Sequence, residues 1–369
     1  MKTVRLAIIS PSQNAYSETF IQAHKDLIDA DVFYYYGGSI PSNLEGKGNI
    51  NPALKKGINK LIGHFRNDDE WHLRKALSDS FMNENIEVVL AEYGVVANRI
   101  LPTCKELNLP MIVHFHGYDA TTYKVLELNN NYKEVFEYAR SVVAVSKAMQ
   151  EKLLSLGCPQ DKLVLNPCGP NDKFHEVEPS AEEELLIGLG RFSDKKAPYY
   201  TILAFKEVVE EFPAAQLILA GDGVLRNTCL NLIKSHQLEK SVHLVGVITP
   251  DEFRSYLVRA RAFVQHSITA ENGDMEGTPV AVLEASSAGL AVVSTLHAGI
   301  PDVIIDGTTG LLVPEHDVAG MSQNMAAVLR DKAFAQKMGK AGKANVLENF
   351  SMKIHIDKLN ELVQSALDR

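Results

Sequence analysis

Two carboxylates, Glu276 and Glu284, stand with seven residues between them in the run Glu276-Gly277-Thr278-Pro279-Val280-Ala281-Val282-Leu283-Glu284. Pro279 fits the first position of a helix, where a missing amide costs nothing. The apolar residues 280–283 then read as the buried side of that helix, with Glu276 in the loop before it and Glu284 one to two turns in. At the helical rise per residue the two carboxylates lie about 8–12 Å apart. Between them the free amides and dipole of a helix start suit an anion, a phosphate above all. A diphosphate flanked by two hydroxyl-rich groups has this charge pattern, and a nucleotide-sugar is such a molecule. Glu276 would take sugar hydroxyls, Glu284 ribose hydroxyls and the helix end the diphosphate. Taken alone, the spacing also describes two surface glutamates on an ordinary helix.

The surroundings favour the chemical reading. A polar loop, 266–277, precedes the pair; a small-residue stretch, Ala285-Ser286-Ser287-Ala288-Gly289, follows it; and a further turn reads His297-Ala298-Gly299-Ile300-Pro301-Asp302. Upstream, Gly188-Leu189-Gly190-Arg191 ends an apolar run, and Lys196 falls in the same loop. Arginine grips phosphate with a bidentate fork and lysine supplies a point charge. Together they would neutralise a departing diphosphate without a metal. Leu219-Ala220-Gly221-Asp222-Gly223 offers backbone for close approach to a ligand, and Val245-Gly246-Val247 offers backbone groups to a nucleobase edge. A solvated basic loop or a plain tight turn explains each of these singly. Four successive strand ends bearing Gly, Arg, Lys and Glu argue for one site.

Those strand ends need parallel strands to carry them. Short apolar runs at 5–10, 32–36, 88–91, 111–116, 141–145 and 163–166 alternate with helix-like stretches. A second series follows at 185–189, 216–220, 242–245, 262–265, 291–294 and 311–313. This alternation predicts βαβ units. Twelve strands exceed one such sheet, and the polar segment 167–184 is the natural break. The expectation is α/β, with two doubly wound domains, 1–168 and 169–352, and a ligand cleft between them. A last helical stretch, 353–369, follows a break near Phe350-Ser351 and would cross back to brace the first domain.

Composition bounds the partners. With 46% hydrophobic and 22% charged residues, the chain has the balance of an ordinary soluble protein. A net charge of −9 argues against nucleic-acid binding. No apolar run reaches the length of a membrane span, and the N-terminus has no signal-peptide pattern. Cys104, Cys158, Cys168 and Cys229 lack metal-ligand spacing and read as reduced thiols of a cytoplasmic protein. Asp68-Asp69-Glu70 is acidic enough for a cation but reads as solvated surface.

With these residues in place, the chain resembles the retaining, metal-independent glycosyltransferases of GT-B fold, in the large family that includes bacterial mannosyl-, glucosyl- and N-acetylglucosaminyltransferases. The matching elements are Gly190-Arg191 with Lys196, the segment 219–223, the Glu276–Glu284 pair, Gly299-Ile300-Pro301-Asp302 and the run 306–313. Val143-Ala144-Val145-Ser146 and Asn166-Pro167-Cys168-Gly169 also fit. The resemblance implies donor-diphosphate contacts from Arg191 and Lys196. It implies sugar and phosphate contacts from Glu276, Gly277, Thr278 and Val280, and ribose binding by Glu284; Gly190, Gly221, Gly246 and Val247 complete the donor side. It gives the second domain the nucleotide-sugar and the first the acceptor. His116, in His114-Phe115-His116-Gly117-Tyr118-Asp119, matches the family histidine near the reacting sugar, with Gly117 beside it and His114 as its rival. In place of a glycine-rich loop after the first strand, this chain has Ser17-Glu18-Thr19-Phe20-Ile21. That string is similar to the one in transferases of bacterial exopolysaccharide, capsule or lipopolysaccharide, and it puts Ser17, Glu18 and Thr19 on the acceptor side. Ala197 stands where relatives carry glycine after the lysine.

The expected function is retaining transfer of a hexose-type sugar from a nucleotide-sugar, UDP-linked rather than GDP-linked, to a glycan or lipid-linked saccharide in cell-surface polysaccharide synthesis. No cofactor or metal is called for. A sugar-phosphate synthase or phosphorylase on the same fold, and a non-catalytic nucleotide-sugar-binding partner, are the rivals. The segment 55–66 places Ile58, Leu61, Ile62 and Phe65 on one helical face and Lys55, Lys56, Lys60 and Arg66 on or beside the other. That pattern suits a core-facing helix with solvated lysines first, and next to it peripheral contact with an anionic membrane at its inner face.

Overall fold

The computed structural model describes residues 3–13, 19–52 and 68–368. The chain divides into two compact units, Met1–Pro167 with His355–Arg369, and Cys168–Ile354.

Unit 1 is built on β1 (Arg5–Ile9), β2 (Asp31–Tyr36), β3 (Asn43–Leu44), β4 (Gly48–Asn49), β5 (Val88–Glu92), β6 (Met111–Phe115), β7 (Ser141–Ala144) and β8 (Leu163–Leu165). They form one sheet in the order β4-β3-β2-β1-β5-β6-β7-β8. Six strands are parallel, and β3 and β4 add an antiparallel edge. The central strands are covered on both faces, which is why their sequences are apolar at nearly every position instead of alternating. Val88–Glu92 is buried throughout, so Glu92 is a carboxylate inside an apolar strand.

Unit 2 holds β9 (Leu185–Leu189), β10 (Gln216–Ala220), β11 (Val242–Gly246), β12 (Ala262–Val264), β13 (Ala291–Thr295) and β14 (Gly310–Val313). Their order is β11-β10-β9-β12-β13-β14, all parallel. The direction of winding reverses between β9 and β12, whose register pairs Leu186 with Ala262 and Ile187 with Phe263. Helices cover the sheet through a core that includes Ile202, Phe205, Leu217, Val264, Val293 and Met325. Each such side chain contributes about 1.5–3 kcal/mol by leaving water. A doubly wound sheet leaves a crevice outside the carboxyl ends of the strands at the reversal point.

All twelve apolar runs of the sequence are strands here, with no end displaced by more than one residue. The β3–β4 hairpin was not foreseen, because two-residue strands carry no period to read. The chain passes between units at Pro167/Cys168, at the start of the polar segment, and the last helix, Met352–Ser365, belongs to unit 1 from His355 on. The helix after Glu276 is Val280–Ser287, and here one expectation is corrected. Pro279 is its N-cap, with an extended ψ of 112°, and not its first helical residue. Its carbonyl accepts from the Val282 and Leu283 amides. The burial expected of 280–283 is also shifted: Val280 and Ala281 are half-buried, while 282–287 are buried. The segment 55–66 lies outside the described residues, as do Ser17 and Glu18.

Candidate active site

In unit 2 the site begins where β9 ends. Gly190 follows the strand, Arg191 is exposed, and a short turn, Asp194–Lys196, leads into the helix Pro198–Glu211. Ala197 joins them in the left-handed region at φ 35°, a conformation that glycine adopts freely and alanine at a cost. The turn folds the Lys196 stem back against Gly190, where any Cβ would meet it at 3.2 Å. Gly221, after β10, has φ 129°, and a Cβ there would lie 2.0 Å from the Gly190 carbonyl oxygen. Its amide donates to the Gly246 carbonyl at 2.6 Å. The ends of β9, β10 and β11 are thus packed backbone to backbone. Gly190, Arg191 and Lys196 line a shallow depression with Gln265 and Thr201.

The Lys196 ammonium lies 3.2 Å from Glu276 Oε2 and 3.5 Å from Gln265 Oε1. The pair joins the ends of β9 and β12 at the reversal point of the sheet. Burial opposes ionisation of Glu276, but the charges of Lys196 and Lys195 outweigh it and hold the carboxyl below its usual range. Burial likewise pushes the Lys196 ammonium down, against the attraction of Glu276. Glu276 Oε1 is buried and has no hydrogen-bond partner among the described residues. Such an acceptor costs about 1–3 kcal/mol unless something donates to it.

Three residues that the sequence reading passed over hold the loop carrying Glu276. Lys195 Nζ donates to Asp274 Oδ1 at 2.9 Å and to the Met275 carbonyl at 3.1 Å. His297 Nε2 accepts the Glu276 amide at 3.1 Å, and His297 Nδ1 lies 2.6 Å from Glu315 Oε1. The visible signal was the proximity of Lys195 to Lys196 and the position of His297 at a strand end; neither says what it touches. The Gly277 carbonyl accepts the Gly299 amide, and Thr278 is buried beside it. Glu284 is buried on the helix, and burial alone pushes its carboxyl up to about 8. Val247 is half exposed beyond β11.

Unit 1 gathers a second group. His116 sits just past β6, its ring stacked on Phe20 at 4.5 Å and its Nε2 2.7 Å from Glu92 Oε2. Phe20 lies on the helix Thr19–Leu27, so exposed Thr19 starts the element that covers His116. Glu92 Oε1 meets His24 Nδ1 at 2.6 Å, and His24 Nε2 meets His355 Nε2 at 2.7 Å. Burial disfavours the Glu92 charge, but His24 and the surrounding imidazoles outweigh it and keep the carboxyl well below its usual range. His114, the rival of His116, is sealed in the core, and burial pushes it down to about 3. Asp119 receives the amides of Gly94, His116 and Gly117, which fixes the strand-end turn. His24, Glu92 and His114 place ligating atoms within 4.8 Å of one another. The His24 and His114 rings stack at 25°, however, so their in-plane lone pairs run side by side instead of converging on one ion. Asp68 and Glu70 of the acidic surface run pair with Arg74, and Glu70 also with Arg99.

The fold is that of the GT-B glycosyltransferases. HepE of Anabaena, solved with UDP and glucose, aligns over 98% of this chain and 100% of its own at a TM-score of 0.78 and 14% identity. Amylovoran biosynthesis glycosyltransferase AmsK of Erwinia amylovora is 30% identical over 275 residues, covering 73% of this chain and 67% of its own. WcaL of Escherichia coli, provisionally named a colanic acid biosynthesis glycosyltransferase, is 30% identical over 281 residues, 75% of this chain and 66% of its own. The matched stretches thus span about two thirds of each relative. The profile of the glycosyl transferases group 1 matches residues 170–345, and the chain belongs to that family. Among the described residues no helix is long and apolar enough to cross a membrane.

Proposed function

We propose that this protein is a retaining hexosyltransferase that uses a UDP-sugar and needs no divalent metal. The observation that carries the reading is the Lys196–Glu276 pair at the sheet reversal, with Glu276 Oε1 buried and lacking a donor. A sugar hydroxyl supplies that donor. Arg191, Lys196 and the amides at the start of Val280–Ser287 face the diphosphate, and Glu284 accepts from ribose. The acceptor hydroxyl attacks the anomeric carbon on the face from which the diphosphate departs. The bond to the diphosphate oxygen breaks, the new glycosidic bond forms, and a donor phosphate oxygen takes the hydroxyl proton. Arg191 and Lys196 stabilise the charge that grows on the leaving group. On the acceptor side the proposal places His116, Gly117 and the segment that includes Ser17, Glu18 and Thr19.

The relatives are named for amylovoran and colanic acid biosynthesis, which supports a saccharide acceptor in polysaccharide synthesis; the proposal makes it a glycan or lipid-linked saccharide of the cell surface, met at the cytoplasmic side. A panel of UDP- and GDP-sugars tested by thermal shift identifies the donor, because a ligand that binds only the folded state raises its stability. The anomeric configuration of the product, read by NMR, then tests retention. Stabilisation by GDP-sugars alone, or an inverted product, overturns the corresponding part of the proposal. Turnover that depends on inorganic phosphate or a sugar phosphate would point to the phosphorylase or synthase reading.

A further inference from the structure

Glu276 rides on the stretch from Gln265 to Pro279, which has neither helix nor strand to hold it. Backbone bonds from Ile268 to Lys195 and from Gly299 to Gly277 tie the stretch down, and side chains hold it nearer Glu276. One hold is Lys195, on Asp274 and Met275. Another is His297, which is fully buried and uses both ring nitrogens. An amide N–H can only donate, so the Nε2 that receives it from Glu276 carries no proton. The single ring proton of the neutral imidazole then sits on Nδ1, where it donates to Glu315 Oε1 at 2.6 Å. Glu315 is anchored in turn by the Thr269 amide on Oε2 at 2.8 Å and the Thr269 hydroxyl on Oε1 at 3.3 Å. The chain of contacts runs from residue 269 through 315 and 297 to 276, and it admits one tautomer only.

We infer that Glu315 and His297 are positioning residues that set Glu276 for the donor: Glu315 selects the His297 tautomer, and His297 holds the Glu276 backbone. This rests on the proposed role of Glu276 in taking a donor hydroxyl. A second proton on His297 would have to go to Nε2. It would then face the Glu276 N–H, two donors would oppose each other, and the hold would be lost. The groups that surround the ring are Glu315 at Nδ1 and the Glu276 carboxylate with Lys196 and Lys195 on the Nε2 side. His266 lies within electrostatic reach, coupled in turn to His316 and Asp317. His266 Nε2 accepts the His316 amide and is committed to it.

Amide side chains separate the two ring nitrogens. In H297Q the amide oxygen reaches the place of Nε2 and can accept from Glu276. In H297N the amide nitrogen takes the place of Nδ1 and serves Glu315, while Glu276 loses its acceptor. The full chain is assayed by UDP release from UDP-glucose, by isothermal titration with UDP, and by nitrogen-15 correlation of histidine-labelled protein at pH 8. The expected results are a tenfold or greater loss of turnover in H297N, with UDP affinity within twofold of wild type. H297Q should restore a third or more of the wild-type rate. The His297 signal, assigned by its disappearance in H297Q, should show a proton on Nδ1 alone. Equal losses in both variants, no loss in either, or a proton on Nε2 at pH 8 overturns the inference. If H297Q fails to fold, the tautomer assigned through H297N decides. A wild-type protein that neither binds UDP nor releases it from UDP-glucose counts against the donor reading instead, and the tautomer still tests this one.

Discussion

Glu284→Gln should stabilise the protein at neutral pH while weakening its hold on nucleotide. The carboxyl is buried, and burial alone raises it from 4.5 to about 8. Between those values an unfolded chain releases the proton and the folded protein keeps it. The unfolded state binds fewer protons in that window, so stability falls as pH rises from about 4.5 to about 8 and is undiminished below it. At roughly 1.4 kcal/mol per unit, the whole window amounts to about 5 kcal/mol, with about 1 kcal/mol developed at pH 5 and about 3 kcal/mol at pH 7. Glutamine has no proton to lose and lacks this slope. Urea unfolding followed by circular dichroism from pH 5 to pH 8, in wild type and E284Q, isolates the difference, because every other titrating group is common to both. The gap in favour of E284Q should widen with pH. A flat gap, or one that narrows, refutes the argument that Glu284 is held neutral by burial. The same carboxyl supplies a binding signature. If ribose hydroxyls donate to its ionised form, UDP binding at pH 7 releases a proton, and titration heats in two buffers of different ionisation enthalpy should differ accordingly. Identical heats would separate Glu284 from the nucleotide.

Arg191→Ala should lower turnover by about 2–4 kcal/mol of transition-state stabilisation and leave the urea midpoint nearly unchanged, because Arg191 is exposed. Lys196→Ala should lower turnover similarly but also destabilise the protein by about 3–5 kcal/mol, since it strands the buried Glu276 carboxylate; an unchanged urea midpoint would contradict the ion pair. Glu276→Gln should cost turnover more than UDP affinity, the reverse of Glu284→Gln, and equal weakening of UDP binding by both would mean that the ligand is wrongly placed. Excess EDTA should leave most activity, and complete loss restored by magnesium or manganese would remove the metal-free mechanism. Replacing Lys55, Lys56 and Lys60 by Glu should abolish flotation with anionic liposomes, and wild type that never floats would end the membrane reading.

The sequence by itself determined which stretches become strands and where the chain divides. A parallel strand covered on both faces must be apolar nearly throughout, so runs such as Leu185–Leu189 and Ala291–Thr295 announce themselves locally. It also put Glu276 in a loop and Glu284 on the following helix, though not the N-cap role of Pro279, because one residue of helix boundary depends on a ψ angle and not on a pattern. Which of these groups meet was set by the packing of the sheet. Lys196 reaches Glu276 because β12 inserts beside β9, an order that no local period encodes. The Glu315–His297–Glu276 chain and the Glu92 cluster with His24, His116 and His355 have the same origin. In each, hydrogen bonds join groups brought together from distant parts of the chain, and a buried polar group must find such a partner or remain unpaired. Periodicity reports which face of an element is dry; the pairing of the few polar groups left inside is fixed only when the sheets close.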